Sequence, residues 1–376
     1  MIIWVKEVAD RVTVKKVRAF VNNDAIIEPF VDMEAVGPED CIIVSKTDNA
    51  IPSSFFVNAV IVYEDVFEAV TKNILEEVAY NYDYYYLKNA LSASQNENID
   101  TIITGSSYGI FGIDCKQLPS AVNLSLISQD MFYSIKGIYK ACTLNKNIRN
   151  IVLCCSYYFF YSDLSKTQNP GELQRISKVY QPLYGDMHNC KLLPPKRNIL
   201  FSSNIFDIDG IVDLYAKGKY EKSYFGNEYS RRDYATRIWE DKSKDWSELN
   251  EIEREQAGIR RAALHNKNNR WKASFNENKQ LFHELSCFCM SRDIELLVVV
   301  VPATKYYRTA LCKEFREDFF EVLNEADGIV GLLDLFEDPS FSDGDFNDMD
   351  HLSESGAEKL TSAIAELLQL PVYSRP

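Results

Sequence analysis

The sequence predicts an α/β protein, with a parallel five-stranded sheet carrying helices on both faces and a small α/β unit before it. Three observations predict it. From residue 101 onward, apolar runs of strand length alternate with stretches of helical period, the β-α-β pattern of a parallel sheet. The runs, such as Thr101 to Thr104 and Asn150 to Cys155, are apolar or small nearly throughout, as strands covered on both faces are. The first of them ends in Gly105-Ser106-Ser107, with Gly109 and Gly112 following, and a glycine turn between strand and helix presents a side chain at the carboxyl edge of such a sheet.

Residues 1–63 read as a small α/β unit, with strand candidates at Ile2 to Val5, Val17 to Val21, Cys41 to Ser45 and Ala59 to Tyr63. The segment from Val17 to Asp24 resembles the second strand and acidic tip of Rossmann-like domains. Trp4-Val5-Lys6-Glu7-Val8-Ala9 stands where such a domain carries its Gly-x-Gly-x-x-Gly turn. Those glycines let a backbone approach a pyrophosphate, so the unit is read as degenerate, structural or docking, and no dinucleotide or other cofactor is expected. A helical period runs from Asp65 to about Ala93, its second half crowded by Tyr80, Tyr82, Tyr84, Tyr85 and Tyr86. These tyrosines suit either a sugar platform or a half-buried seam between domains. The polar stretch Ser92 to Asn98 is the linker, which divides the chain into residues 1–95 and 96–376.

In the second part the strands are Thr101 to Thr104, Ala121 to Leu124, Asn150 to Cys155, Glu295 to Val301 and Gly328 to Asp334. Helices are expected over Met131 to Leu144, Tyr306 to Glu325 and the final stretch, where Ala357, Leu360, Ile364 and Leu367 share a face and Ser353 is a good N-cap. An insertion of about 162–271 interrupts the alternation. It is irregular around Pro170, Pro194-Pro195 and Tyr220 to Ser230, and helical from Trp246 to about Leu264.

Composition excludes several functions. With 41 basic and 55 acidic residues the formal charge is −14, which disfavours nucleic acid or anionic lipid as the main ligand. No apolar run reaches the ~20 residues of a membrane span. No charged segment followed by a long apolar one opens the chain, and nine cysteines show no disulfide framework, so the expected location is cytoplasmic. Cys287 and Cys289 with His283 form a conceivable metal cluster but lack a second ligand pair, and no metal is expected. His188 and His283 read as structural or surface residues.

The chemistry is carried by two distant segments. A serine hydroxyl needs a base near neutral pH, and the base needs a carboxylate to orient it. Ser107 follows the first strand of the second part, while Asp348 and His351 lie three residues apart before the last helix, close enough for one turn to join them. Gly105-x-Ser107 together with Asp348-x-x-His351 resembles the SGNH/GDSL hydrolase superfamily, whose fold is a flavodoxin-like sheet. Gly-Ser-Ser in place of Gly-Asp-Ser resembles the branch containing the D-alanyl transfer protein of teichoic acids and polysaccharide O-acyltransferases. The resemblance spans roughly residues 95–376 and implies Ser107 as nucleophile, His351 as base and Asp348 as its orienting acid. It also implies oxyanion or substrate contacts from Ser106, Tyr108, Ser125, Ser128, Tyr157 and Tyr158, with Lys305 and Arg308 on the same sheet edge.

The chain departs from the family at two places. Serines at 125 and 128 replace glycines after the second strand, and Ser156-Tyr157-Tyr158 replaces a Gly-x-Asn-Asp stretch after the third. A backbone donor survives the first change; only a tyrosine hydroxyl could replace the amide lost in the second. The loop from Asp343 to Asp348, with Glu354, also has the oxygen spacing of a calcium loop, against the reading of a plain acidic loop. Arg260-Arg261 with His265 and Lys267 suits either an anion contact or a basic helix end. The resemblance therefore implies a serine esterase or O-acyltransferase acting on a small-molecule, carbohydrate or cell-envelope polysaccharide precursor through an acyl-serine. The alternative is a catalytically silent scaffold of the same fold that binds a glycan or a partner enzyme.

Overall fold

Parallel strands need crossovers, and this chain supplies them twice. The computed structural model describes residues 1–9, 12–18, 21, 24–47, 59–64, 82–190, 246–328 and 330–370. By its contacts the chain forms two units; the described residues of the first lie between Met1 and Tyr85, and those of the second begin at Tyr86.

The first unit holds four parallel strands, β1 (Ile2–Val5), β2 (Ile26–Pro29), β3 (Cys41–Val44) and β4 (Ala59–Val62), in the order β2-β1-β3-β4. Asp40 pins the start of β1, accepting Ile2 N at 2.7 Å and the Trp4 indole N–H at 3.0 Å. The strand expected over Val17 to Val21 is a correction: Val14–Arg18 is helical and the second strand is Ile26–Pro29. Val17 is buried as the inner residue of that short helix, and a single buried valine carries no period to separate helix from strand. The helical period from Asp65 has only its end, Tyr82–Ala93, within the described residues. Tyr80 and the irregular stretches at Pro194-Pro195 and Tyr220 to Ser230 lie outside them.

The second unit holds β5 (Thr101–Gly105), β6 (Ala121–Asn123), β7 (Asn150–Cys155), β8 (Glu295–Val300) and β9 (Val330–Asp334), all parallel. Their order, β6-β5-β7-β8-β9, is the doubly wound 2-1-3-4-5 arrangement, whose crevice opens beyond the carboxyl ends of the first and third strands. Every residue of β5 is buried, as are the last five of β7 and of β8. Gly105 ends β5 at φ 134°, and a Cβ there would lie 2.0 Å from the Cys154 carbonyl oxygen; only glycine lets β5 stay paired with β7 to its last residue.

The helix Met131–Leu144 packs against Lys272–Ser291, the helix that leads into β8. The last helix, Glu354–Leu367, buries Ala357, Leu360 and Ile364 and packs on the short helix Ser107–Gly112. Each large aliphatic buried this way contributes ~1.5–3 kcal/mol. The single helix expected from Tyr306 to Glu325 is two, Lys305–Arg308 and Glu314–Glu325. The Asn266 amide donates to Ala310 O at 2.9 Å and accepts from Cys312 N at 2.8 Å, so a side chain from elsewhere satisfies the backbone where the helix breaks. All nine cysteines are free, and burial pushes the Cys154 and Cys289 thiols up to about 12, which leaves them unreactive. Among the described residues no helix is long and apolar enough to cross a membrane.

Candidate active site

Ser107 is placed by backbone sterics. β5 stops at Gly105, Ser106 takes an extended conformation as N-cap with its hydroxyl 3.4 Å from Tyr108 N, and Ser107 opens the helix Ser107–Gly112. With Tyr108 N capped by that hydroxyl and Gly109 N bonded to Ser106 O at 3.0 Å, Ser107 N is, among the described residues, the first-turn N–H left to meet a ligand. Gly109 sits one turn on, against Ser125; a Cβ there would be 2.1 Å from Ser125 Oγ.

His351 is placed by its own loop. Asp348 Oδ1 accepts Asp350 N at 3.0 Å and His351 N at 2.8 Å, folding the chain back so that the carboxylate lies 2.9 to 3.0 Å from His351 Nδ1. Asn347 N donates to His351 O at 2.9 Å and closes the loop, while Thr304 pins it to the end of β8, donating to Met349 O through N at 3.1 Å and Oγ1 at 2.8 Å. The other ring nitrogen, Nε2, lies 2.8 Å from Ser107 Oγ. Phe111 meets the imidazole edge to face at 5.3 Å. A carboxylate on Nδ1 favours the tautomer with its proton there, leaving Nε2 to accept from the serine hydroxyl.

A second layer, whose centre Asp350 sequence reasoning missed, lies behind the histidine. Asp350 is fully buried and 3.5 Å from His351 Nδ1. It accepts Tyr108 OH at 2.8 Å and Arg261 Nε at 2.9 and 3.1 Å. Tyr158 OH donates to Tyr108 OH at 3.2 Å, and the Tyr158 ring stacks on His265 at 4.0 Å, whose Nδ1 meets Tyr307 OH at 2.5 Å. Burial first, then the Asp350 charge, holds the Tyr108 phenol far above its ordinary range, so it donates as a neutral group. From sequence, Tyr108 and Tyr158 are expected as oxyanion or substrate contacts and the run at 260–267 as an anion contact or helix end; the structure instead turns both hydroxyls into this layer. The structure gives Arg261 to Asp350, not to an external anion.

The remaining predicted residues divide. Ser125 N donates to Asn123 Oδ1 at 2.9 Å, so its backbone donor is spent, yet its buried hydroxyl has no partner. Ser156, where the family's stretch differs, likewise buries an unpartnered hydroxyl. Ser128, at φ 58°, turns to Glu172 at 3.1 Å. Tyr157 OH donates to Asp334 at 2.8 Å and accepts Arg316 Nε at 3.2 Å, so it does not stand free as an oxyanion donor. Lys305 pairs with Glu251 at 3.2 Å in solvent, and Arg308 donates to Phe336 O at 3.2 Å. Tyr157→Phe is therefore expected to leave ester turnover within about threefold of wild type while costing about 1 kcal/mol in urea unfolding. A 10²-fold loss of kcat would instead make that hydroxyl an oxyanion donor.

Asp348, Asp350 and His351 place three possible metal ligands within 4.8 Å. Arg261 already neutralises Asp350, and His351 is engaged at both nitrogens, so the cluster does not suit a cation. The calcium-loop alternative meets the same objection: Asp343 pairs with Arg254 at 2.8 Å and Asp345 with Lys359 at 2.7 Å.

His265 makes the layer sensitive to pH. Burial, reinforced by repulsion from Arg261 and His351, drives its pKa well below the ordinary value. The unfolded chain then binds the proton more readily than the folded one. The stability contributed by neutral His265 is complete above the unfolded pKa of about 6.5 and is lost as pH falls below it, at up to ~1.4 kcal/mol per unit. His265→Gln should weaken this loss; unfolding curves at pH 7 and 5.5 for both proteins measure it, and identical pH dependences would refute it.

No family model and no curated protein matches the sequence. A solved structure described as that of "a putative platelet activating factor from Streptococcus pneumonia" is similar to this chain at 10% identity and a TM-score of 0.35, covering 80% of this chain and 99% of its own.

Proposed function

We propose that the chain is an SGNH-like serine esterase or O-acyltransferase that acts on an acylated carbohydrate or cell-envelope precursor through an acyl-serine. The observation that carries the proposal is the 2.8 Å approach of Ser107 Oγ to His351 Nε2, with Asp348 on the opposite nitrogen. In this reading Ser107 attacks the ester carbonyl while His351 takes its proton. The tetrahedral oxyanion is met by the backbone N–H of Ser107, since Tyr108 N is taken by the Ser106 hydroxyl and Gly109 N by Ser106 O. His351 then returns the proton to the leaving alcohol, and water or a sugar hydroxyl takes the acyl group from Ser107. Asp348 holds the imidazole in the required tautomer. Asp350, already neutralised by Arg261, braces the ring from behind without competing for the proton.

The silent-scaffold reading draws support from Ser156-Tyr157-Tyr158, which offers no amide where the family's asparagine stands. A fluorophosphonate probe separates the two. Labelling of Ser107, located by peptide mass mapping, supports the enzyme; a purified, folded protein that takes no label and cleaves neither p-nitrophenyl acetate nor acetylated sugars is the scaffold.

A further inference from the structure

A second cluster lies away from the serine and is unused by the proposed reaction. Asp130, the N-cap of the helix Met131–Leu144, and Asp163, the cap of the turn Leu164–Lys166 after β7, are both buried. Among the described residues their oxygens accept from backbone and hydroxyl donors: Tyr133 N and Leu164 N for Asp130, Ser165 N, Ser165 Oγ and Ser274 Oγ for Asp163. His188 brings its Nδ1 to this pair, with one ligand atom of each of the three residues lying within 4.8 Å of the others. The His188 side chain is 6% exposed, and Nδ1 has no hydrogen-bond partner. Its distance to Asp163 Oδ1, 3.9 Å, is too long for a hydrogen bond.

The other nitrogen explains which way the ring faces. His188 Nε2 lies 3.0 Å from Glu277 Oε1, and Asn189 Nδ2, 3.1 Å from the same nitrogen, donates to the other Glu277 oxygen at 3.0 Å. Glu277 accepts from Nε2, so the unpartnered Nδ1 is the nitrogen turned toward Asp130 and Asp163. Phe132 fixes the ring by stacking at 3.9 Å. A carboxylate on the far nitrogen of a histidine is the usual outer support of a metal ligand. Two ligand atoms around a tetrahedral ion stand about 3.4 Å apart; here His188 Nδ1 and Asp163 Oδ1 are 3.9 Å apart and all three ligand atoms lie within 4.8 Å, so binding draws them inward. A nitrogen donor among two oxygens favours zinc over calcium or magnesium.

We propose that Asp130, Asp163 and His188 bind a divalent cation of the zinc class, which ties the start of a core helix, the turn after β7 and the turn at Gly185–Asn189 into one unit. The ion is structural: it joins the first part of the insertion to the sheet that carries Ser107.

Zinc chloride titrated into the metal-free full-length chain tests this by calorimetry and thermal unfolding. One equivalent should bind, and Tm should rise by about 3 °C at a hundredfold excess over Kd. His188→Ala should lose that equivalent and the Tm rise. His283→Ala is the control, since His283, Cys287 and Asp327 form the competing exposed cluster, and it should keep both. No uptake by wild type, or an equivalent lost in His283→Ala and kept in His188→Ala, overturns the proposal. Should His188→Ala fail to fold, the nitrogen resonances of His188 in wild type decide: Nδ1 shifts on adding zinc if it is a ligand, and an unmoved resonance overturns the assignment. Fluorophosphonate labelling of Ser107 is independent of this outcome.

Discussion

Ser107→Ala is expected to lower turnover of p-nitrophenyl acetate and acetylated sugars by about 10⁴-fold or more and to end fluorophosphonate labelling. In the proposed mechanism the hydroxyl is the nucleophile and donates its proton toward His351 Nε2, so its removal ends the covalent route outright. Stability should change little, because among the described residues the lost atom bonds that imidazole alone, in a helix whose cap is Ser106. Asp348→Asn should cost less. The imidazole would lose its near carboxylate but keep Asp350 at 3.5 Å from the same nitrogen, a partial substitute for holding the tautomer. Kinetics of the two variants, with circular dichroism as the folding check, make the comparison. Full activity in Ser107→Ala would remove the serine mechanism.

Arg261→Met is expected to destabilise the protein by about 3 kcal/mol at neutral pH. Asp350 has no exposure; Arg261 Nε reaches it at 2.9 and 3.1 Å, while His351 Nδ1 stands farther off at 3.5 Å. Methionine keeps the length of the side chain but removes the guanidinium, leaving Tyr108 OH as the close donor to the carboxylate. The value is taken at the low end for a buried pair because Arg261 is itself 28% exposed. The pair's net worth is a separate matter from the cost of breaking it. Arg261→Met combined with Asp350→Asn should recover most of the loss, since a neutral amide is far less costly to bury alone. Urea unfolding of both singles and the double closes the cycle. Equal destabilisation in Arg261→Met and in the double variant would show that packing, and not charge, holds the layer.

Much of the second unit was legible because its signals are local. Asn150 to Cys155 and Met131 to Leu144 have the bounds that their apolar runs and periods imply. Parallel alternation follows from strands too far apart in the chain to be joined by tight turns. Gly105 before the serine and Asp348 three residues before the histidine are likewise short-range patterns, each with a backbone reason: a close strand approach and a side-chain turn. Where the local signal was thin, sequence misled. Val17 carries a strand-like letter in a helical turn, and the stretch from Tyr306 to Glu325 has a helical period that the Asn266 amide breaks from a distance.

The tertiary structure decided partners. Ser107 and His351 are 244 residues apart, and nothing in either segment specifies 2.8 Å; the sheet order does, by setting β5 and the loop after β9 at the same carboxyl edge. The arginine that neutralises Asp350 lies 89 residues away on an insertion helix, so its basic run could be read as an anion contact or as a helix end until the fold gave it a buried carboxylate. Tyr157 and Tyr158 are neighbours in sequence, but one hydroxyl bonds Asp334 and the other Tyr108. Hydrophobic period and backbone sterics act over a few residues and are written in the sequence; the pairing of buried polar groups is a choice among distant partners, and only the packed chain makes it.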